Sequence, residues 1–400
     1  MTSALPGWPS YDAEQIAAVE QVLRSGKVNY WTGEEARLFE REYADSLGVK
    51  HAIAVANGTV ALELALYALD IGPGDEVIVP SRTFIASASA VVMRGAKPVI
   101  ADINADSQNL TAKTVSAVLS PRTKAIICVH MAGWPCEMDP ILSLAKRHEL
   151  HVIEDCAQAH GALYQGKPVG SFGHINAFSF CQDKIITTGG EGGLVTTNDD
   201  QLWEKAWSYK DHGKNWDAVY NQPSTGSFKY LHDSFGTNWR LTEMQAAMGR
   251  IQLRRLPEWV ELRRRNAALL QDALGEIDGL RIALPDESIH HSYYKFYAFV
   301  QPGMLRNGWT RDRIIAEVQK AGYFCGCGST AEIYREKAFE GTTSRPVKPL
   351  PVAQELQQTS LMFQVHPTLS ITDMRQMGRT VRRILEQALV AMPSSLRRAA

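Results

Sequence analysis

The stretch from His151 to Gly193, HVIEDCAQAHGALYQGKPVGSFGHINAFSFCQDKIITTGGEGG, holds the residues best suited to chemistry. An apolar strand ends on Glu154 and Asp155, a glycine-punctuated polar loop follows, a second apolar run covers Ile175 to Phe180, and Lys184 stands ahead of a glycine-rich turn. A carboxylate and a lysine at the ends of neighbouring apolar strands are the two groups that an aldehyde cofactor with a pyridine ring requires. Each also has an ordinary reading: a lysine after a strand is commonly a solvated surface group, and Asp155 could cap a helix over the following AQAHG segment. Cys325 and Cys327, with His130, His160 and His366 elsewhere, lack the second close ligand pair that a zinc site needs.

The elements that must position these groups alternate along the first half of the chain. Strands are expected at His51 to Ala56, Glu76 to Pro80, Lys97 to Asp102, Thr123 to His130, His151 to Cys156, Ile175 to Phe180 and Gly192 to Thr197, with helical segments between most of them. Continuous apolar runs separated by helices predict a mainly parallel seven-stranded sheet covered on both faces, an α/β fold. In such a sheet ligands sit outside the carboxyl ends of the strands, where Asn57, Asp155 and the segment before Lys184 all fall. Asn57-Gly58-Thr59 marks a strand-to-helix turn whose free N–H groups could cradle a phosphate, or which simply caps itself. Beyond residue 200 a long polar and aromatic loop precedes a helix from Leu241 to about Leu274, which Pro257 is expected to interrupt or kink. The remainder reads as a smaller α+β domain, giving a division into 1–255, with an N-terminal arm, and 256–400. His290-His291 and Tyr293-Tyr294 lie where it begins, and either face a substrate mouth or start a strand.

Bulk composition narrows the function class. The 400 residues are 45% hydrophobic, enough for a substantial core, and 42 Lys plus Arg nearly cancel 43 Asp plus Glu, so nothing favours nucleic acid or an anionic membrane as a partner. The basic residues Arg254, Arg255, Arg263, Arg264 and Arg265 recur at helical spacing and read as a solvated or interface face. The N-terminal residues lack a signal-peptide pattern and no apolar run is long enough for a membrane span, so a cytoplasmic protein is expected. The six cysteines are scattered and suit reduced thiols.

Seven motifs in fixed order carry a resemblance: WTGEEARLFE, NGTVAL, PSRTF, VHMAGWP, EDCAQAHGA, SFxxxK with TTGGEGG, and NWRLTEMQAA. Together they resemble the DegT/DnrJ/EryC1/StrS family of nucleotide-sugar aminotransferases, which use pyridoxal phosphate (PLP) on the aspartate-aminotransferase-like fold, PLP fold type I. The resemblance implies a homodimer with active sites at the subunit boundary, and transfer of an amino group from an amino acid, glutamate, to a keto sugar linked to UDP, dTDP or GDP, at C4. A 3-keto sugar or a keto-cyclitol is the alternative. By the same resemblance Lys184 matches the lysine that holds PLP covalently, Asp155 the acid at the pyridine nitrogen, Gln158 the amide near the phenolic oxygen, and Phe84, otherwise ordinary core, the stacking aromatic. Gly58, Thr59 and Ser179 match phosphate contacts, and Asn238 an asparagine that reaches the phosphate from the neighbouring subunit; the role of His160 stays open. Cys181-Gln182-Asp183 departs from the residues many relatives carry before the lysine. Family members that are sugar dehydratases replace the lysine with histidine, so Lys184 favours amino transfer. Lys27, Asn29, Tyr30, Arg82, His212, Lys229, Arg240 and His291 are candidates for holding the nucleotide sugar.

Overall fold

The computed structural model describes residues 5–221 and 231–391; Lys229 and the C-terminal SSLRRAA lie outside the described residues. The large sheet contains β1 (His51–Val55), β2 (Glu76–Pro80), β3 (Lys97–Ala101), β4 (Thr123–Val129), β5 (His151–Asp155), β8 (Ile175–Ser179) and β9 (Gly193–Thr197). A hairpin, β6 (Leu163–Tyr164) and β7 (Lys167–Pro168), lies between β5 and β8 in the chain. The strand order is β1-β9-β8-β5-β4-β2-β3, and only β9 runs against its neighbours. Burial explains the apolar composition: β2, β8 and β9 are buried at every position, as a sheet with helices on both faces requires.

The smaller C-terminal domain is built on β10 (Leu280–Arg281), β12 (Phe296–Val300), β13 (Cys325–Gly326) and β14 (Ser360–Phe363), an antiparallel sheet ordered β10-β12-β14-β13. A short strand, β11 (Ile289–His290), pairs instead with β6 and so stitches the start of this domain to the large one. The β6–β7 turn places Gln165 and Gly166 at φ 49 and 77, the left-handed pair that a two-residue hairpin turn demands.

The helix Glu243–Leu274 passes Pro257 without a break and spans the expected boundary at residue 255. Proline removes one hydrogen bond there, while the turns on either side stay packed through Leu253, Leu256 and Val260, and Arg250 pairs with Glu35 and Glu42, and Arg254 and Arg255 with Glu14. The basic run thus divides. Arg254 is solvated and tied to the N-terminal helix Ala13–Ser25, whereas Arg263, expected with it on a solvated or interface face, is only 1% exposed and donates to the Tyr294 carbonyl. The expected loop after residue 210 contains a short helix, Trp216–Tyr220, capped by Asn215 and packed through Trp216 on Trp203 and Trp207. All six cysteines are free. Among the described residues no helix is long and apolar enough to cross a membrane.

Candidate active site

Asp155 is the last residue of β5, where the parallel sheet delivers it to its carboxyl edge, and it is 6% exposed. Ser87 Oγ donates to its Oδ2 at 2.9 Å and the Ala157 N–H donates to Oδ1 at 3.2 Å. Burial raises the Asp155 carboxyl above the ordinary carboxylate value, while those two hydrogen bonds and the charges of Lys184 and His130 oppose the rise. A positive ring nitrogen placed against this carboxylate would supply the counter-charge that burial leaves missing. Gln158, three residues on, accepts the Ala132 N–H at 2.9 Å through Oε1, which fixes the amide and leaves its NH2 as the free donor.

Lys184 lies in the loop between β8 and β9. Its N–H donates to the Cys181 carbonyl at 3.0 Å, and its own carbonyl accepts Trp8 Nε1 at 2.8 Å from the N-terminal arm. The long helix grips the same loop, with Gln252 Oε1 accepting the Thr187 N–H at 2.7 Å and Gln245 Nε2 donating to the Glu191 carbonyl at 2.7 Å. Gly189 and Gly190 turn the loop at φ 87 and 136, values open to glycine at little cost. The lysine side chain is 17% exposed, with Nζ 3.8 Å from Asp183 Oδ1 and 5.2 Å from the centre of the Tyr294 ring.

A third group meets these at the end of β1. Asn57 caps the helix Gly58–Ala68 by accepting the Val60 N–H at 3.0 Å, so the helix N-terminus opens beside Ser179 at the end of β8. A Cβ on Gly58 would stand 2.6 Å from Ser179 Cβ, and one on Gly193 would stand 2.3 Å from the Asn57 carbonyl oxygen. Backbone N–H groups, the partial positive charge of the helix start and two hydroxyls, on Thr59 and Ser179, make a cradle for a phosphate. A buried carboxylate, a tethered lysine and this cradle on one sheet edge fit PLP. Phe84 follows β2 and is 68% exposed, which removes the core reading and leaves its ring free to cover a neighbour.

The other sequence candidates scatter. Tyr30 is 1% exposed and donates to Glu40. Arg82, also 1% exposed, bridges the domains by donating to Ser360 Oγ at 2.8 Å and the Cys327 carbonyl at 3.0 Å. His291 is buried, accepts the Tyr293 N–H through Nδ1, and is pushed by burial down to about 3. These bonds tie the Tyr30 hydroxyl, Arg82 Nη1 and Nη2, and His291 Nδ1 to the fold. Arg240 pairs with Asp211 at 2.8 Å, while Asn29, His212 and Asn238 are exposed. Lys27 lines a separate cleft of about 520 Å³ with Glu35, Glu243 and Arg250, away from Lys184. His160 is a brace: Nε2 donates to the Ser179 carbonyl at 2.8 Å, the Tyr43 hydroxyl meets Nδ1 at 2.8 Å, and burial lowers it to about 4, so it stays neutral. The cluster His130, Glu154 and Cys156 does not ask for a metal, because Glu154 already accepts from His130 and from the N–H groups of Gly170, Phe172 and Gly173. Ser87 escaped the sequence reading; Asp183 entered it only as part of the departure before the lysine, and Tyr294 only as a residue that either faces a substrate mouth or starts a strand.

A profile of the DegT/DnrJ/EryC1/StrS aminotransferase family matches residues 9–382. The chain is 44% identical over 286 residues to the GDP-perosamine synthase of Caulobacter vibrioides, covering 71% of this chain and 73% of that one. It is 37% identical over 355 residues to the UDP-N-acetyl-3-dehydro-alpha-D-glucosamine 3-aminotransferase of Acidithiobacillus ferrooxidans, covering 88% and 89%. Among solved structures, the aminotransferase from Psychrobacter cryohalolentis superimposes with a TM-score of 0.94 at 53% identity, over 96% of this chain and 99% of that one. The chain belongs to the DegT/DnrJ/EryC1/StrS aminotransferase family, and is a PLP-dependent aminotransferase of fold type I.

Proposed function

We propose that this enzyme moves the amino group of glutamate onto C4 of a keto-deoxy sugar linked to a nucleoside diphosphate, as a homodimer with shared active sites. The observation that carries the reading is the meeting of buried Asp155, Lys184 and the Gly58–Ser179 cradle on one sheet edge. The relatives named for nucleotide sugars support the substrate class.

The residues divide the work. Gly58, Thr59 and Ser179 hold the phosphate, and Asp155 keeps a proton on the pyridine nitrogen by supplying its counter-charge. Bound PLP supplies an electron sink for the carbanion left when the donor carbon loses its proton. Lys184 would hold the cofactor through Nζ, and once that link is released its free amine would serve as the base that takes the proton from the donor carbon. In the second half of the cycle Lys184 returns a proton to the sugar carbon. Phe84 would cover one face of the ring, and the free NH2 of Gln158 would donate toward the phenolic oxygen. Asn238, exposed in the single chain, is assigned to the partner's phosphate.

A 3-keto sugar is the second reading, favoured by the Acidithiobacillus relative, whose name specifies a 3-dehydro sugar. Incubating the enzyme with glutamate and a panel of nucleotide-linked 3-keto and 4-keto sugars, with products read by mass and stereochemistry, separates the two. Borohydride reduction is expected to fix the cofactor on Lys184. Lys184→Ala is expected to lose turnover by several orders of magnitude while keeping its fold; retained transamination in that variant would refute the assignment.

A further inference from the structure

The corner beside Lys184 holds more charge than amino transfer by the groups above requires. Asp183 Oδ1 lies 3.8 Å from Lys184 Nζ, and Asp183 Oδ2 accepts the hydroxyl of Tyr294 from the start of the small domain. On the same Tyr294 ring, Lys295 Nζ lies 4.6 Å from the centre and Lys184 Nζ 5.2 Å. One phenol therefore lies within cation–π range of two amines and donates to a carboxylate that feels the charge of both. Tyr294 is itself fixed, being 6% exposed, with its carbonyl accepting Arg263 Nη1 at 3.3 Å. Burial works to raise Asp183, but the Lys184 charge, the Tyr294 hydroxyl and Lys295 outweigh it and hold the carboxyl below its usual value. Burial pushes Lys295 down to about 8.

Resting on the reading of Lys184 as the cofactor-bearing residue, we infer that Asp183, fixed by Tyr294, is a positioning residue that holds positive charge on Lys184 Nζ, with Lys295 as the opposing charge. The arrangement suits a lysine that must alternately keep and give up a proton. Asp183 steadies the protonated state and the place of Nζ, and Lys295 prevents that state from becoming too stable to release its proton. Among the described residues, the further charged or titratable groups that act on this corner include Asp155, His160, Cys181, Glu191, Arg263, Tyr297 and His366.

The test uses holoenzyme. Wild type, Asp183→Asn, Asp183→Glu and Lys295→Met are each titrated by the visible absorbance of the cofactor linked to Lys184, after borohydride and peptide mass have located the linkage. Asp183→Asn is expected to lower the absorbance midpoint by about one pH unit, the lower end for an opposite charge at this distance because Asp183 is half exposed. Asp183→Glu is expected to restore it, and Lys295→Met to raise it. A merely structural role for Asp183 would change thermal stability and leave the midpoints together. If Asp183→Asn does not fold, Asp183→Ser is titrated in its place with the same downward shift expected. Attachment at another residue removes both this inference and the reading beneath it. Attachment at Lys184 with unmoved midpoints, or with bands equally insensitive to pH in all the folded variants, removes this inference alone.

Discussion

At Asp155, burial and hydrogen bonding pull in opposite directions, and burial wins. The carboxyl is therefore less acidic in the native protein than in the unfolded chain. The sign follows from linkage: the contribution of this group to stability is fully present below the ordinary carboxylate value and is lost as pH rises through the folded value. Without cofactor, an ionised Asp155 is a cost at neutral pH, which the positive pyridine nitrogen offsets when PLP is bound. Asp155→Asn in cofactor-free protein is thus expected to gain more Tm relative to wild type at pH 7 than at pH 4, while losing turnover. Thermal unfolding at the two pH values checks this, and an equal difference at both would contradict it. Asp155 and Lys184 were legible in the sequence because each sits at the end of an apolar run. Ser87 was not, since it reaches Asp155 across 68 residues of chain and its type alone says nothing.

The helix Gly58–Ala68 can begin beside β8 only because Gly58 lacks a side chain. Adding a methyl there places it 2.6 Å from Ser179 Cβ and 3.0 Å from Ser179 Oγ, so either the helix start or the strand end must move. Gly58→Ala is expected to cost about 1–3 kcal/mol of stability, the usual range for overpacking, and to weaken retention of PLP. Denaturant midpoints and dialysis against buffer without PLP measure the two effects; wild-type retention would show that the cradle does not use this helix start. The strands were readable because their apolar runs meet a sheet covered on both faces. Strand order was not, since β9 enters between β1 and β8 and no local pattern encodes that crossing. The long helix was readable too, and Pro257 does not end it. Tyr30, Arg82 and His291 carry contacts that their types do not announce: the Tyr30 hydroxyl is bound to Glu40, Arg82 Nη1 and Nη2 to Ser360 and Cys327, and His291 Nδ1 to the Tyr293 backbone.

At the scale of the whole molecule, the site is open in a way that a single chain does not close. Phe84 is 68% exposed beside it, Phe235 is 99% exposed on the segment leading to Asn238, and Asn238 itself is exposed. Apolar rings on both segments suit burial against another surface, and a second copy of the chain is the occupant the proposed function names. If Asn238 serves the partner's phosphate, then Lys184→Ala and Asn238→Ala damage different halves of one composite site. A hybrid dimer carries one site with both defects and one with neither. Each variant alone is expected to be strongly impaired. After dissociation and reassembly of an equimolar mixture, random pairing is expected to leave about a quarter of the sites intact, so activity rises to roughly that fraction of wild type. Sizing by light scattering fixes the dimer, and turnover measured before and after reassembly reads the exchange. A mixture whose activity stays at the mean of the two variants would place Asn238 with its own chain's Lys184, and the shared site would have to be given up.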